Sequence, residues 1–326
     1  MRAEEGGMLD KQVLSCWAQT SERSEIQEVI SGTVNSTYRI RSDETYYLRR
    51  FKHTNNHRIK DELRLLAELS SSLHFIVEPC LNAENLPITL WKRECFALYP
   101  EATGRQVYSD EFDCTYAFNA GYALANLHLA METATQRSFP TIELSWSQQN
   151  WLERLERIIR AINSIKEPEE VDLWALERAQ TQMAYLASSQ SQHEFQPKTK
   201  RILIHGDYHH YNLFFDMNKQ VSGIIDWDLL QYMPPAYEIA RACQYMFQLD
   251  VNKSKAFIEG YLSKKSLSLE EIRDGAFAWG IYADHHIWAL EEVYFKHNLS
   301  AKKFIPFIQF EPFLSLWCPI EDAIFQ

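Results

Sequence analysis

Short runs in which apolar and polar residues alternate dominate the first hundred positions, and this pattern is typical of β-strands. It predicts strands at residues 25–30, 34–40, 45–51, 88–91 and 95–99. Residues 42–44, Ser-Asp-Glu, supply a polar turn within this stretch. Helices are predicted at 9–17 and at 56–69, where apolar residues recur at helical spacing. This part of the chain is therefore predicted to be small and rich in β-structure.

Beyond Gly104 the apolar residues follow the helical period of about 3.6 residues over long stretches. Helices are predicted at residues 112–131, 148–165, 172–187 and again from Pro234. Short strands are predicted at residues 201–204, 213–215 and 221–225, after a polar loop at 188–200. The pattern indicates an α+β fold, with a β-rich N-terminal lobe over residues 1–100 and a larger, mainly helical lobe over residues 101–326.

Composition narrows the class of protein. Of the 326 residues, 46% are hydrophobic, which argues against a disordered chain. No apolar run approaches the roughly 20 residues that span a bilayer, and residues 1–10 lack the apolar core of a signal peptide. We therefore expect a cytoplasmic protein without a membrane partner.

The net charge, 33 basic minus 44 acidic residues, is -11 and argues against a nucleic-acid partner. Six scattered cysteines without a C-x-x-C pair indicate reduced thiols.

The glycines exclude two common nucleotide-binding motifs. The chain has ten glycines, and their positions form neither a G-x-G nor a G-x-x-x-x-G-K-[ST] pattern. Any bound nucleotide must be held in another way.

Chemistry-bearing residues concentrate in the segment 202–228, ILIHGDYHHYNLFFDMNKQVSGIIDWD. An apolar run ends at His205, Asp207 follows, Asn212 comes five residues later, and a second apolar run delivers Asp226. Phosphoryl transfer needs a carboxylate that orients the attacking hydroxyl, together with amide and carboxylate oxygens that hold Mg²⁺. His-x-Asp-x4-Asn followed by an aspartate is the pattern of a kinase catalytic loop.

HGDYHHYNLFFD and GIIDWD resemble the corresponding blocks of the aminoglycoside phosphotransferase-like kinases, and the resemblance extends over most of the chain. It implies a two-lobed protein-kinase-like fold and an enzyme that uses ATP and Mg²⁺ to phosphorylate a hydroxyl of a small molecule. By the same resemblance Asp207 is the catalytic base, His205 braces the catalytic loop, and Asn212 and Asp226 are the Mg²⁺ ligands.

The resemblance also assigns nucleotide contacts in the N-terminal lobe. Residues 30–40 correspond to a phosphate-covering loop, with Gly32, Asn35 and Ser36 over the nucleotide. Residues 95–105 correspond to the hinge, where Ala97 and Tyr99 offer backbone groups to the adenine edge.

A basic residue on the third strand completes the implied nucleotide site. Arg49 stands where the family more often has a lysine, and it keeps the positive charge for the phosphates. Glu62 on the next helix is its expected ion-pair partner. Glu238, where the family usually has aspartate, is expected to brace the equivalent of the activation loop.

The acceptor site is predicted in the C-terminal lobe, with candidates Asp228, Asp284, His285, Trp288, Glu291 and Glu292. Acids interleaved with aromatic residues suit a cationic acceptor, although a helix with an aromatic core face and an acidic solvent face gives the same pattern. An amino alcohol, an aminoglycoside and a sugar-like metabolite all remain open. ATP and GTP are not separated by the sequence.

Two alternatives to an active kinase stay open. The first is a catalytically degenerate protein that keeps the kinase fold and binds nucleotide. The second is a zinc-dependent hydrolase that uses His205, Asp207, His209 and His210, with residues 284–286 as further ligands.

Overall fold

A computed structural model describes residues 9–29, 35–51, 56–108, 110–135, 138–307 and 309–325. The chain divides into two compact units. Unit 1 contains the described residues up to Tyr108 together with Leu129–Phe139 and His210–Leu230. Unit 2 contains the described residues from 110 to His128, Pro140–His209, and those from Gln231 onward.

Unit 1 is built on a five-stranded antiparallel sheet with the strand order β1-β2-β3-β5-β4. Its strands are β1 (Glu25–Val29), β2 (Ser36–Arg41), β3 (Thr45–Phe51), β4 (Thr89–Trp91) and β5 (Glu94–Pro100). The predicted turn at 42–44 joins β2 to β3, with the Ser42 N–H donating to the Glu44 carbonyl at 3.0 Å. All five strands predicted in this part of the chain are present, although the predicted ends at residues 30 and 34 lie outside the described residues.

A compact apolar cluster covers one face of this sheet. Tyr38 and Ile40 of β2 point into it, as the period of two along a strand requires. Val13 and Leu14 reach it from a 3-10 helix, Lys11–Cys16, that stands where the sequence predicted a helix at 9–17. Asp10 fixes the start of that short helix by accepting a hydrogen bond from the Gln12 N–H at 3.1 Å.

Helix α1 (Asn56–Ser70) buries Ile59, Leu63, Leu66 and Leu69, which is the predicted apolar face. A later hairpin, β9 (Leu213–Phe215) and β10 (Val221–Ile224), belongs to the same unit. The Ile224 N–H donates to the Phe75 carbonyl at 2.8 Å, which ties this hairpin to the segment that follows α1.

Unit 2 is mainly helical. Its helices are α2 (Cys114–Thr133), α3 (Gln148–Asn163), α4 (Glu170–Ala187), α5 (Pro235–Phe247), α6 (Val251–Leu262), α7 (Leu269–Asp284), α8 (Trp288–Tyr294) and α9 (Phe313–Phe325). The part of α2 that follows His128 belongs to unit 1. Two small antiparallel pairs complete it, β6 (Leu144–Ser145) with β7 (Glu194–Phe195) and β8 (Ile202–Ile204) with β11 (Gln231–Met233). None of the helices described here is long and apolar enough to cross a membrane.

Close helix contacts in unit 2 depend on glycine. At Gly275 in α7 an added Cβ would lie 2.6 Å from the Cβ of Ala236 in α5, so α5 and α7 pack backbone to backbone. Helix α4 begins two residues before its predicted start, because Glu169 and Asp172 form a capping box.

Candidate functional site

In unit 1, Arg49 faces three carboxylates. Its Nη1 lies 3.8 Å from Oε1 of Glu62, which is only 3% exposed on α1. Its Nη2 lies 3.2 Å from Oδ1 of Asp226 and 2.5 Å from Oδ2 of Asp228. The ion pair expected between Arg49 and Glu62 is thus present, and the same guanidinium holds the two aspartates that follow β10.

Asp228 has further partners within unit 1. The Asn35 Nδ2 donates to its Oδ2 at 2.8 Å, and the Arg58 guanidinium donates to its backbone carbonyl. Ser36 accepts from Nη2 of Arg50 at 3.5 Å. Asn35 therefore joins the cluster around Arg49, whereas Gly32 lies outside the described residues.

The cluster carries more negative than positive charge. Burial raises the pKa of Glu62 to about 7 even though Arg49 opposes the shift. Burial also raises the pKa of Asp228, and the charge of Asp226 adds to that rise. Burial alone would lower the pKa of Arg49, but the surrounding carboxylates outweigh it and keep the guanidinium charged. Burial is the largest cause of both raised pKa values, and the mutual repulsion of the carboxylates adds to it.

Asp226 and Asn212 have the chemistry of a magnesium site. Asp226 has φ 63°, a left-handed conformation that is strained for a residue with a Cβ, and its side chain is 46% exposed. Asn212 is buried, and its carbonyl accepts the Ile225 N–H at 3.0 Å, so the two residues flank the same hairpin. Carboxylate and amide oxygens are ligands that Mg²⁺ accepts, so the residues present fit that ion.

The predicted hinge residues lie on β5, beside β3. The Leu98 carbonyl points away from β3 and accepts the Cys80 N–H at 2.7 Å. In the antiparallel register Ala97 and Tyr99 are then the hydrogen-bonded partners of β3. The adenine contacts of Ala97 and Tyr99 stay a prediction.

The side chain of Tyr99 lies near the cluster around Arg49. Burial, and then the charge of Glu62, raise the pKa of its phenol, and its hydroxyl has no hydrogen-bond partner among the described residues.

In unit 2 the segment after β8 is fastened by Glu238, which is fully buried in α5. Its carboxylate accepts the N–H groups of His205 at 3.1 Å and Gly206 at 2.5 Å, and lies 2.8 Å from Nε2 of His128. Gly206 has φ 81°, which favours glycine. Glu238 thus braces the segment that carries Asp207, and not the later segment assigned to it from the sequence.

Asp207 is ionised and partly accessible. Its N–H donates to Nδ1 of the buried His205 at 3.1 Å, and its side chain is 18% exposed. Burial would raise its pKa, but the ion pair with Arg241 and the His209 ring at 3.3 Å outweigh burial and hold the pKa well below its usual range. Such a carboxylate can orient a hydroxyl and accept its proton as the oxygen–phosphorus bond forms.

The predicted acidic acceptor residues of unit 2 are already engaged. Oδ1 of the buried Asp284 accepts the Phe313 N–H at 2.9 Å, and burial raises the pKa of Asp284 to about 6. Glu291 accepts two hydrogen bonds from Arg154, at 2.7 and 2.6 Å. Glu292 accepts from Lys296 at 2.6 Å.

The remaining candidates pack among aromatic residues. His285 is buried and stacks on Trp146 with the ring centres 4.4 Å apart, and burial lowers its pKa to about 4. Trp288 lies 5.6 Å from the ring of Phe304. These contacts are those of a packed helical unit.

Two arginines at these clusters were missed by sequence reasoning. Arg58 lies one turn before Glu62 on α1, and Arg241 lies one turn after Glu238 on α5. Arg241 is the only charged residue in the stretch IARACQYMF, and a lone arginine in an apolar helix was the available signal. The described residues contain no group of three or more His, Cys, Asp or Glu side chains able to hold a metal, so the zinc alternative gains no support.

Comparison with known proteins agrees with the fold. Residues 25–274 match the model of the phosphotransferase enzyme family. The fold is similar to the amicoumacin kinase hAmiN in complex with AMP-PNP, Ca²⁺ and Ami (TM-score 0.60, 16% identity, 94% of this chain and 95% of that one). It is also similar to spectinomycin phosphotransferase APH(9)-Ia in complex with ADP and spectinomycin (0.63, 15%, 91% and 93%) and to a microcompartment-associated aminopropanol kinase (0.59, 15%, 90% and 93%). A search of curated proteins found no match.

Proposed function

The chain belongs to the phosphotransferase enzyme family, and from that premise we propose that it transfers the γ-phosphoryl group of ATP to a hydroxyl of a small molecule. The observation that carries this proposal is the contact of Arg49 with Glu62, Asp226 and Asp228, because it unites the predicted phosphate-binding arginine with the predicted metal ligand. Similar structures hold AMP-PNP, ADP or GDP, which supports a nucleotide as donor.

The residues of unit 1 serve the nucleotide in this proposal. Arg49 binds phosphate oxygens, for which its planar fork of donors is suited. Asn212 and Asp226 hold Mg²⁺, which supplies charge neutralisation at the phosphates when it is bound. The strained backbone of Asp226 and the three carboxylates around Arg49 support this assignment.

Asp207 acts on the acceptor in this proposal. Its low pKa keeps it ionised at neutral pH, so it orients the hydroxyl and takes the proton as the new bond forms. Glu238 and His205 are positioning residues, since they fix the backbone on either side of Gly206.

A thermal-shift titration with ATP, ADP and GTP, each with and without Mg²⁺, tests the nucleotide site. A ligand at about 100 times its Kd stabilises the folded state by about 2.7 kcal/mol, a shift that is easily measured. Release of ADP is then followed with amino alcohols, aminoglycosides and sugars as acceptors. A Mg²⁺-dependent shift with turnover supports the proposal. A shift without turnover for any hydroxyl compound favours a catalytically degenerate protein, and no shift in folded protein rejects the nucleotide site.

A further inference from the structure

Asp207 in unit 2 lies beside a buried arginine, Arg241. Arg241 is 8% exposed and forms an ion pair with Asp207 through Nη2. Its Nη1 is also buried and has no hydrogen-bond partner among the described residues. A buried guanidinium that leaves one donor unused beside the predicted base is costly unless a ligand completes it.

Aromatic rings hold this guanidinium in place. The Cζ of Arg241 lies 4.5 Å from the ring centre of Tyr245 and 5.6 Å from that of Trp279. Trp279 stacks on Tyr282 at 5.4 Å, and its Nε1 donates to Oε1 of Gln244 at 2.7 Å. Tyr245 is 41% exposed, so one wall of this group of side chains opens to solvent.

A second arginine adds to the positive potential. Burial lowers the pKa of Arg178 more than Tyr245 and Asp284 raise it. Both arginines also act on His286. Burial is the largest cause that lowers the pKa of His286 to about 4, and the charges of Arg241 and Arg178 lower it further. His286 lies 5.7 Å from Tyr282, which places it at the edge of the aromatic group.

The acids of unit 2 that lie near these arginines already have other hydrogen-bond partners. Asp284 accepts a backbone N–H, Glu291 is paired with Arg154, and Glu238 is used by His128 and the backbone at His205 and Gly206. Asp207 itself is the acid that faces Arg241. A cationic acceptor would therefore meet arginines next to the base.

Resting on the function proposed above, we propose that the acceptor is a small hydroxylated carboxylic acid. Its carboxylate accepts a hydrogen bond from the Arg241 Nη1, and the positive charge of Arg178 stabilises it. A guanidinium fork matches a carboxylate in geometry and charge. Because Arg241 also contacts Asp207, the hydroxyl and the carboxylate of the acceptor are close together in the molecule. The aromatic wall of Tyr245 and Trp279 packs against the carbon chain.

Acid and amide pairs test the charge requirement directly. ADP release from Mg-ATP by the full chain is measured with glycerate, L-serine and L-homoserine, each beside its primary amide, and with ethanolamine, 1-amino-2-propanol and kanamycin. The expected result is a kcat/KM at least about 10-fold higher for an acid than for its amide, as loss of a charge-assisted hydrogen bond implies. Equal rates within every pair, or turnover of the amines alone, overturn the inference and leave the proposed function standing.

Binding separates the two proposals if no compound is turned over. Calorimetry then measures the three acids on the complex with AMP-PNP and Mg²⁺. Binding of an acid but not of its amide supports the carboxylate site, and no binding by any acid overturns it. Failure of AMP-PNP itself to bind rejects the proposed function independently.

Variants locate the effect. Arg178→Gln is expected to raise the KM for the acid about 10- to 100-fold with little change in kcat, and to reduce the preference for acid over amide. Arg241→Lys keeps a charge beside Asp207 but loses the fork, so it should reduce the same preference. Arg160→Gln, on the exposed face of α3, is the matched control and should change neither. An unchanged preference in both Arg178→Gln and Arg241→Lys contradicts the site.

Discussion

Nη2 of Arg49 lies 3.2 Å from Oδ1 of Asp226, and the two residues are 177 positions apart in the chain. The contact links β3 to the residue two positions after β10. It also keeps the Asp226 carboxylate beside an opposite charge while its backbone stays left-handed. A left-handed backbone at a half-exposed aspartate makes Asp226 a suitable position for separating backbone strain from the role of the carboxylate.

Replacing Asp226 with glycine should separate its strain from its function. Glycine adopts φ 63° without penalty, so the free energy of unfolding should be unchanged or rise by about 1 kcal/mol. The loss of the carboxylate should abolish the Mg²⁺-dependent part of the thermal shift with ATP. Urea denaturation and the thermal-shift titration measure the two effects.

Lys219→Gly is the matched control, because Lys219 lies in the turn of the same hairpin with φ 60°. It should change stability in the same direction and leave the response to Mg²⁺ intact. If Asp226→Gly retained the full response, Asp226 would not be a metal ligand.

Asp207→Asn should retain Mg-ATP binding and lose about two or more orders of magnitude in kcat, since the amide no longer accepts the hydroxyl proton. Turnover of the variant and its nucleotide-induced thermal shift are measured together. Glu259→Gln, an exposed acid on α6, controls for the loss of one negative charge. Wild-type turnover in Asp207→Asn would exclude Asp207 as the base.

Asp284 makes stability depend on pH. Its pKa is about 6 in the folded protein against 3.8 for an ordinary aspartate, so the folded state binds more protons between these values. Stability therefore falls as pH rises through this window and stays lower above it. Asp284→Asn keeps an oxygen for the Phe313 N–H and should stabilise the protein by about 1–3 kcal/mol at pH 8. Urea denaturation of both proteins at pH 4 and pH 8 tests this, and a gain that does not grow with pH would contradict it.

Glu238→Gln should destabilise the folded state by about 3 kcal/mol, because its amide N–H₂ would face backbone donors at His205 and Gly206. Burial would raise the pKa of Glu238, but His128 and the other neighbours outweigh it, so the folded pKa is below 4.5. The advantage of wild type is present above that pH and is lost as pH falls through the lower folded value. Urea midpoints at pH 7 and pH 4 test this. A wild-type advantage that persists undiminished at the lower pH would place the effect in packing instead of charge.

The sequence predicted those parts of the fold that local pattern determines. The apolar face of α1 and the turn at 42–44 follow from periodicity and turn chemistry within a few residues. The predicted helix at 9–17 is instead a 3-10 helix that ends at Cys16. Its length depends on Asp10, which also accepts from Nε1 of Trp91, and that contact spans 81 positions. Local periodicity carries no information about it.

The candidate site shows the same division. The spacing of Asp207, Asn212 and Asp226 is visible in the sequence because the motif lies in one segment. The position of Glu238 below His205 and Gly206 depends on how α5 packs against β8, and Arg241 follows from that packing. The engagement of Glu291 by Arg154 likewise requires α3 and α8 to be folded together. Residue type alone therefore suggested a cationic acceptor, because the sequence does not show that these acids are already paired.

Because α5 and α7 pack backbone to backbone at Gly275, a displacement of one helix moves the other. Glu238 and Arg241 lie one turn apart on α5. Glu238 accepts the Gly206 N–H in the loop that carries Asp207, and Arg241 forms an ion pair with Asp207 itself. A methyl group at Gly275 would meet Ala236 and push the helices apart. Such a shift reaches loop geometry and acceptor recognition at once, so kcat and the acceptor KM should change together although Gly275 contacts neither the loop nor Arg241.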